Sequence, residues 1–334
     1  MSTSAPNSSA ASSSSAVPNS SAAASTAASA SEAATNTAAT STAAAAALNS
    51  QFAALDGCLS GVRVLNFAVN VPGPIAAQRL GLLGAEVTKV EPPVGDPLAQ
   101  YARPWYDSLA AGQKVIQLDL KAADAAEQLD ALLRETDIVI TSFRPAALER
   151  MGLANLPERY PHLIQVDIVG DLEAPEVPGH DLTYQAGAGT LTPPQMPTVL
   201  LGDFLGAEHA TTAALAMLVG RGTAGKTESA NAAAAQRHCQ IGLKQAGLTA
   251  AAALQVGITA PTGLLGGALW TYGIYESSDG HVAVAALEPH FAKQLVQATG
   301  ASDGASLSEF LQTRSTADIV QWAEANALPI AAVS

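Results

Sequence analysis

The chain of 334 residues is long enough to bury a sizeable core, and its formal net charge of −13 (16 basic against 29 acidic side chains) opposes non-specific attraction to nucleic acid or an anionic membrane. Hydrophobic residues make up 48%, much of it alanine, yet no run approaches the roughly 18 uninterrupted apolar residues of a membrane span. Cys58 and Cys239 form neither a disulfide framework nor a metal-ligand spacing, which fits a reducing, cytoplasmic compartment.

Residues 1–50 are Ser, Ala and Thr with scattered Asn and one charged side chain, Glu32. They lack the basic start and leucine-like core of a secretory signal and the arginines of a mitochondrial presequence, so a disordered low-complexity tail is expected. Patterned sequence begins at Leu59. GVRVLNFAV (61–69) reads as a buried strand, VPGP (71–74) as a turn, and IAAQRLGLLG (75–84) as a helix ending on a glycine. AEVTKVE (85–91) is a second strand, stopped by Pro92 and Pro93, and KVIQLDL (114–120) a third. A helix over 122–135 leads to DIVITSF (137–143), and a helix near 145–151 precedes HLIQVDIVG (162–170). Apolar strands alternating with helices imply an α/β fold with a mostly parallel sheet covered on both faces. Ligands of such sheets bind beyond the carboxyl ends of the strands, so the loops 71–74, 92–96, 144–145 and 171–190 are the ones to read for chemistry.

Further on, TVLLGDF (198–204) reads as a short strand and 206–221 as a long helix. Residues 223–265 are read as a linker with helical character. A smaller unit over 266–334 holds two strand-like runs around Ser278-Asp279-Gly280, a hairpin signal, with helices near 289–299 and 315–326. The expected division is thus a tail (1–50), a large domain (51–222), the linker (223–265) and a small α+β domain (266–334).

Three polar positions stand in apolar or small-residue surroundings: His180 with Asp181 in VPGHDLTYQAGAG, Asp203 in LLGDFLGA, and Glu288 in VAVAALEPHF. Each has two readings. Asp203 and Glu288 both precede or open a helix, where a carboxylate caps free N–H groups. His180 and Asp181 equally suit a solvated turn. Alternatively, a carboxylate at a helix start sits beside N–H donors that stabilise a developing oxyanion or enolate. His162, His209, His238, His281 and His290 carry no usable pattern.

Taken in order, the segments resemble the class III CoA-transferase family, in particular its α-methylacyl-CoA racemase branch. The landmarks are the PGP turn, LGLLGAEVTKVEPP, LDLK, DIVITSFRPAALERMGL, PGHDLTYQAGAG, LLGDF and YESSDGHVAVAALEPHF. The resemblance runs from residue 59 to LPIAAV near 333 and thins across 227–262. It implies a Rossmann-like large domain, a smaller α+β domain and an interlocked homodimer with sites between chains. Coenzyme A is implied as part of the substrate, with no tightly bound cofactor and no metal. In racemases of this type the residues matching His180 and Asp203 are the acid/base pair and the one matching Glu288 supports the histidine. In the transferases the position of Asp203 is a covalent nucleophile. CoA contacts are implied at Leu118, Asp119, Leu120 and Lys121, at Gly179, Asp181 and Tyr184, and at Arg144. The chain departs from the pattern at Pro92, where relatives carry an arginine, at the shortened glycine loop that leaves Gly170, and at GTAGKTESAN, which lacks its aspartate.

Three activities match this pattern. The first is racemisation of a 2-methyl-branched acyl-CoA by 1,1-proton transfer, which needs a base on one face of the α-carbon and an acid on the other. The second is CoA transfer between carboxylic acids through Asp203. The third is a non-catalytic family member.

Overall fold

The computed structural model describes residues 50–222 and 236–333. The low-complexity tail up to residue 49 and most of GTAGKTESAN lie outside them.

Six strands form one sheet: β1 (Arg63–Asn66), β2 (Glu86–Glu91), β3 (Lys114–Gln117), β4 (Ile138–Thr141), β5 (Ile164–Val169) and β6 (His238–Gly242). Their order is β3-β2-β1-β4-β5-β6 and every pairing is parallel. This is the doubly wound order, in which the strand order reverses between β1 and β4. β4 and β5 are buried at every position, which explains their unbroken apolar character.

Alternate residues of each strand feed two separate cores. Val64, Ile138, Ile140 and Val166 pack with helices α1 (Pro72–Leu82) and α6 (Leu201–Gly222) through Ile75, Leu80, Ala210 and Met217. Leu65, Val90 and Val139 face the other way, onto Leu129 and Leu133 of α3 (Ala125–Arg134) and Leu148 of α4 (Pro145–Arg150). Beside them, α2 (Arg103–Ala110) packs on α1, and α7 (Leu243–Ala250) packs on α5 (Asp181–Ala188), α6 and β6.

A second, three-stranded antiparallel sheet joins β7 (Tyr272–Glu276), β8 (His281–Ala285) and β9 (Ile330–Val333) in that order. The expected hairpin is present, with the Ser277 N–H donating to the Gly280 carbonyl at 2.9 Å across the turn. Helices α8 (Pro289–Thr299), α9 (Gly304–Gln312) and α10 (Thr316–Ala325) cover one face. This unit has its own core around Val282, Val284, Leu295, Leu307, Leu311 and Ile319. The α/β class and the smaller α+β unit are as the sequence implies.

Two readings change. No strand forms over 198–204; the chain enters α6 at Leu201, because its first N–H groups are taken by a carboxylate instead of a neighbouring strand. The stretch read as a helical linker also supplies β6, which pairs with β5 from Gln165↔His238 to Val169↔Gly242. The large sheet therefore extends past residue 222.

Candidate active site

The carboxyl ends of β1, β4 and β5 open on a cleft of ≈ 240 Å³ at the point where strand order reverses. Asn70, Arg144, Gly179, His180, Tyr184 and Asp203 are among the residues that line it.

The β1 side is held by a buried charge pair. Lys89 and Asp96 are 2% and 1% exposed. Lys89 Nζ donates to Asp96 Oδ2 at 2.8 Å and to the Ala68 carbonyl at 3.1 Å. The other Asp96 oxygen accepts the Asn70 and Leu98 N–H groups at 3.0 and 2.9 Å. The loop carrying Asn70, which has a left-handed φ of 64°, is therefore anchored from the neighbouring strand. None of Asn70, Lys89 and Asp96 stands out in the sequence. The one available signal was a lysine amid the apolar residues of EVTKVE, where a solvated side chain has no room.

The β5 side presents His180 and Tyr184. His180 is the residue before α5, and its carbonyl accepts the Thr183 and Tyr184 N–H groups at 2.8 and 3.2 Å. Its N–H in turn donates to Thr183 Oγ1 at 3.2 Å. His180 is exposed.

Asp203 lies in the first turn of α6, yet it does not cap that helix. Asp181, 3% exposed, reaches across from α5 and caps α6 from outside. Its Oδ1 accepts the Gly202 N–H at 2.7 Å and the Asp203 N–H at 3.2 Å, and its Oδ2 accepts Gln185 Nε2 at 2.5 Å. Gln185 Nε2 also donates to the Val199 carbonyl at 2.7 Å. Two consequences follow. The Asp203 carboxyl is left half-buried and, among the described residues, without a hydrogen-bond partner, facing the cleft. Conversely, two of the helix-start N–H groups expected to serve as oxyanion donors are already committed. Burial first, and the Asp181 carboxylate second, push the Asp203 carboxyl up to about 7. Asp181 is the residue that the family resemblance implied as a CoA contact. Its carboxylate points into the protein and does not line the cleft.

Over residues 59–333 the chain matches the model of CoA-transferase family III. It belongs to that family. Among curated relatives it is 38% identical over 158 residues to the probable fatty acyl-CoA transferase Rv3272 of Mycobacterium tuberculosis, covering 42% of this chain and 39% of the relative. It is 36% identical over 140 residues to the cinnamoyl-CoA:phenyllactate CoA-transferase of Clostridium sporogenes, covering 37% and 34%. It is 30% identical over 188 residues to the formyl-CoA:oxalate CoA-transferase of Escherichia coli O6:H1, covering 50% and 45%. The matched stretches thus span less than half the length of these relatives. A crystal structure of Rv3272 superposes with a TM-score of 0.68 at 26% identity, covering 83% of each chain. A CAIB/BAIF family protein from Brucella suis shares the fold, with a TM-score of 0.66 at 22% identity and coverage of 83% and 84%.

Of the remaining family positions Arg144 lines the cleft, whereas Leu118, Asp119, Leu120, Lys121 and Glu288 do not. Leu118 is a core residue beneath β2 and β3, 6% exposed, with its N–H on the Glu91 carbonyl at 2.9 Å. Asp119 makes a turn by accepting the Lys121 N–H at 3.0 Å, Leu120 packs partly buried, and Lys121 is exposed, with no ion pair among the described residues. Because the sheet is parallel, this turn after β3 and Arg144 after β4 lie on the same edge, two strands apart. Arg144 is exposed and lines the cleft. Glu288 precedes α8 in the smaller unit, is exposed, accepts the Ala292 N–H through its backbone carbonyl at 3.0 Å and does not line the cleft. The support it was expected to give His180 is not made within one chain. Among the described residues no group of His, Cys, Asp and Glu could hold a metal, and no helix is long and apolar enough to cross a membrane.

Proposed function

We propose that the protein transfers coenzyme A between carboxylic acids, with Asp203 as the covalent nucleophile. The observation that carries this reading is the free Asp203 carboxyl: Asp181 takes over the helix cap, and Asp203 is left to face the cleft. An acyl transfer needs one such carboxylate and no second base. Asp203 attacks the thioester carbonyl, the C–S bond breaks, and CoA leaves as thiolate from a mixed anhydride. The thiolate then attacks the Asp203 carbonyl carbon, releasing the donor acid as carboxylate and leaving an aspartyl-CoA thioester. An acceptor carboxylate attacks that thioester and expels the thiolate, which attacks the acceptor's acyl carbon and frees Asp203. Every step exchanges one oxygen or sulfur nucleophile for another, so no external oxidant or proton donor is required.

The curated relatives named above are transferases of acyl-CoA, which supports this class of substrate. Among the described residues Lys121 and Arg144 are in no ion pair; they stand on the carboxyl edge of an otherwise acidic protein and suit the phosphates of CoA. CoA in this reading is a substrate, bound and released in each cycle. The absence of a disulfide between Cys58 and Cys239 fits a cytoplasmic enzyme. A second copy of the chain, as the family resemblance implies, is the partner that would bring Glu288 to a cleft.

A racemase is the second reading, favoured by His180 and Asp203 lining one cavity and by an Asp203 carboxyl poised near neutrality. The two separate in one incubation. The protein is mixed with butyryl-, cinnamoyl-, palmitoyl- and 2-methylacyl-CoA in deuterated water containing ¹³C-acetate. Appearance of ¹³C-acetyl-CoA without α-deuteration is the expected result. Deuteration of the 2-methylacyl chain without acetyl-CoA would replace the transferase by the racemase.

A further inference from the structure

Tyr184 is 7% exposed, and its ring fills a slot that two glycines create. A Cβ at Gly170 would lie 2.3 Å from the Tyr184 hydroxyl oxygen and one at Gly179 would lie 2.5 Å from it, so neither position admits a side chain. The phenol is thereby clamped between the end of β5 and the turn before His180. Its hydroxyl has no hydrogen-bond partner among the described residues, although the residue lines the cleft with Asp203 and Arg144. The ring is buried while the hydroxyl reaches the cleft, so its donor is available to an acceptor that enters the cavity.

Charge development at the proposed reaction centre says what that is. When a carboxylate attacks a thioester, the carbonyl oxygen becomes an oxyanion and needs a fixed donor. The Gly202 and Asp203 N–H groups are both bonded to Asp181. We infer that the Tyr184 hydroxyl donates a hydrogen bond to the acyl oxygen as Asp203 attacks, a catalytic role that rests on Asp203 being the nucleophile. The bond between Asp203 Oδ and the acyl carbon forms while the carbonyl π-pair moves to oxygen. It returns as the C–S bond breaks and thiolate departs. Tyr184 keeps its proton throughout. Burial, then the Asp203 and Asp171 carboxylates, raise the phenol above its ordinary value against the opposing pull of Arg144, so the donor stays protonated at neutral pH.

The test compares wild type, Tyr184→Phe and Asp203→Asn. Each is mixed with butyryl-, cinnamoyl- and palmitoyl-CoA and quenched with hydroxylamine, and the rate of adduct formation on the peptide carrying residue 203 is read by mass spectrometry. CoA affinity is measured by calorimetry and stability by thermal melting. Since the hydroxyl bonds nothing among the described residues, Tyr184→Phe should melt with wild type and bind CoA within about twofold. Its adduct should form about 10²-fold more slowly, the usual loss for one oxyanion donor. Equal adduct rates in wild type and Tyr184→Phe would overturn this assignment alone, as would a loss of CoA affinity with an unchanged single-turnover rate. A melting point lowered by more than about 2 °C would make the hydroxyl a structural group and also overturn it. No adduct in the wild type with any of the three thioesters would remove the nucleophile reading, and this inference with it.

Discussion

Asp203→Asn should stabilise the protein while abolishing its chemistry, and the stabilisation should depend on pH in a defined direction. An aspartate in the unfolded chain titrates near 3.9, whereas burial and Asp181 hold Asp203 at about 7 in the fold. Between these values the native state binds the extra proton, so its stability falls as pH rises from about 4 to about 7 and levels off above. The separation corresponds to roughly 4 kcal/mol at 1.36 kcal/mol per pH unit, and partial contact of this carboxyl with water brings the expected figure to about 2 kcal/mol. Asparagine carries no charge at any of these pH values, so its advantage over aspartate is absent near pH 4 and complete by pH 8. Urea melts of the two proteins at pH 4, 6 and 8 read this directly, as a midpoint gap that opens with pH. A gap of constant size, or one that closes towards pH 8, would show that Asp203 is ionised without penalty in the fold. The argument for its activation would then be lost.

The same titration governs turnover: acyl transfer should rise about tenfold between pH 6 and pH 8 as the Asp203 carboxylate forms, measured as kcat against pH. Removing the neighbouring charge with Asp181→Asn should move that midpoint to lower pH, because Asp181 is the second cause of the elevation. Its carboxamide oxygen can still accept the Gly202 N–H, so the fold is retained; an unmoved midpoint would contradict the coupling. Lys89→Met leaves the Asp96 carboxylate buried without its cation and should cost about 3–5 kcal/mol in urea melts. His180→Ala should leave adduct formation on Asp203 within about tenfold of wild type, since acyl transfer assigns it no proton; complete loss would restore the two-base reading.

How much could be read from residues alone differs between the parts of the molecule. Strands β1, β2, β4 and β5 were legible because a parallel strand covered on both faces is apolar at nearly every position, as in IVIT and IQVDIV. β6 was not, since HCQIG lies at the sheet edge, mostly partly buried, and its His238 is polar for a reason of its own: it bonds Asp167 at 2.7 Å. The strand expected at TVLLGDF failed on a long-range effect, because the carboxylate that starts helix α6 comes from Asp181, 22 positions before Asp203. For the same reason the local reading of Asp203 as a helix cap gave way: the cap exists, but another residue supplies it. His180 and Asp203 were visible as polar groups amid small and apolar neighbours, and the fold brings them to one cleft. Glu288 was equally visible, and the fold keeps it in a separate unit. Lys89 and Asp96 were hidden, because a buried ion pair looks like two surface charges until the partners are seen together.

The most direct measurement is mass spectrometry of the peptide carrying residue 203 after the wild-type protein has been mixed with an acyl-CoA and quenched with hydroxylamine or borohydride. A mass change confined to Asp203, formed with acyl-CoA and absent without it, is the result expected of a covalent nucleophile. Steady CoA transfer with an unmodified Asp203 under the same quench would contradict it.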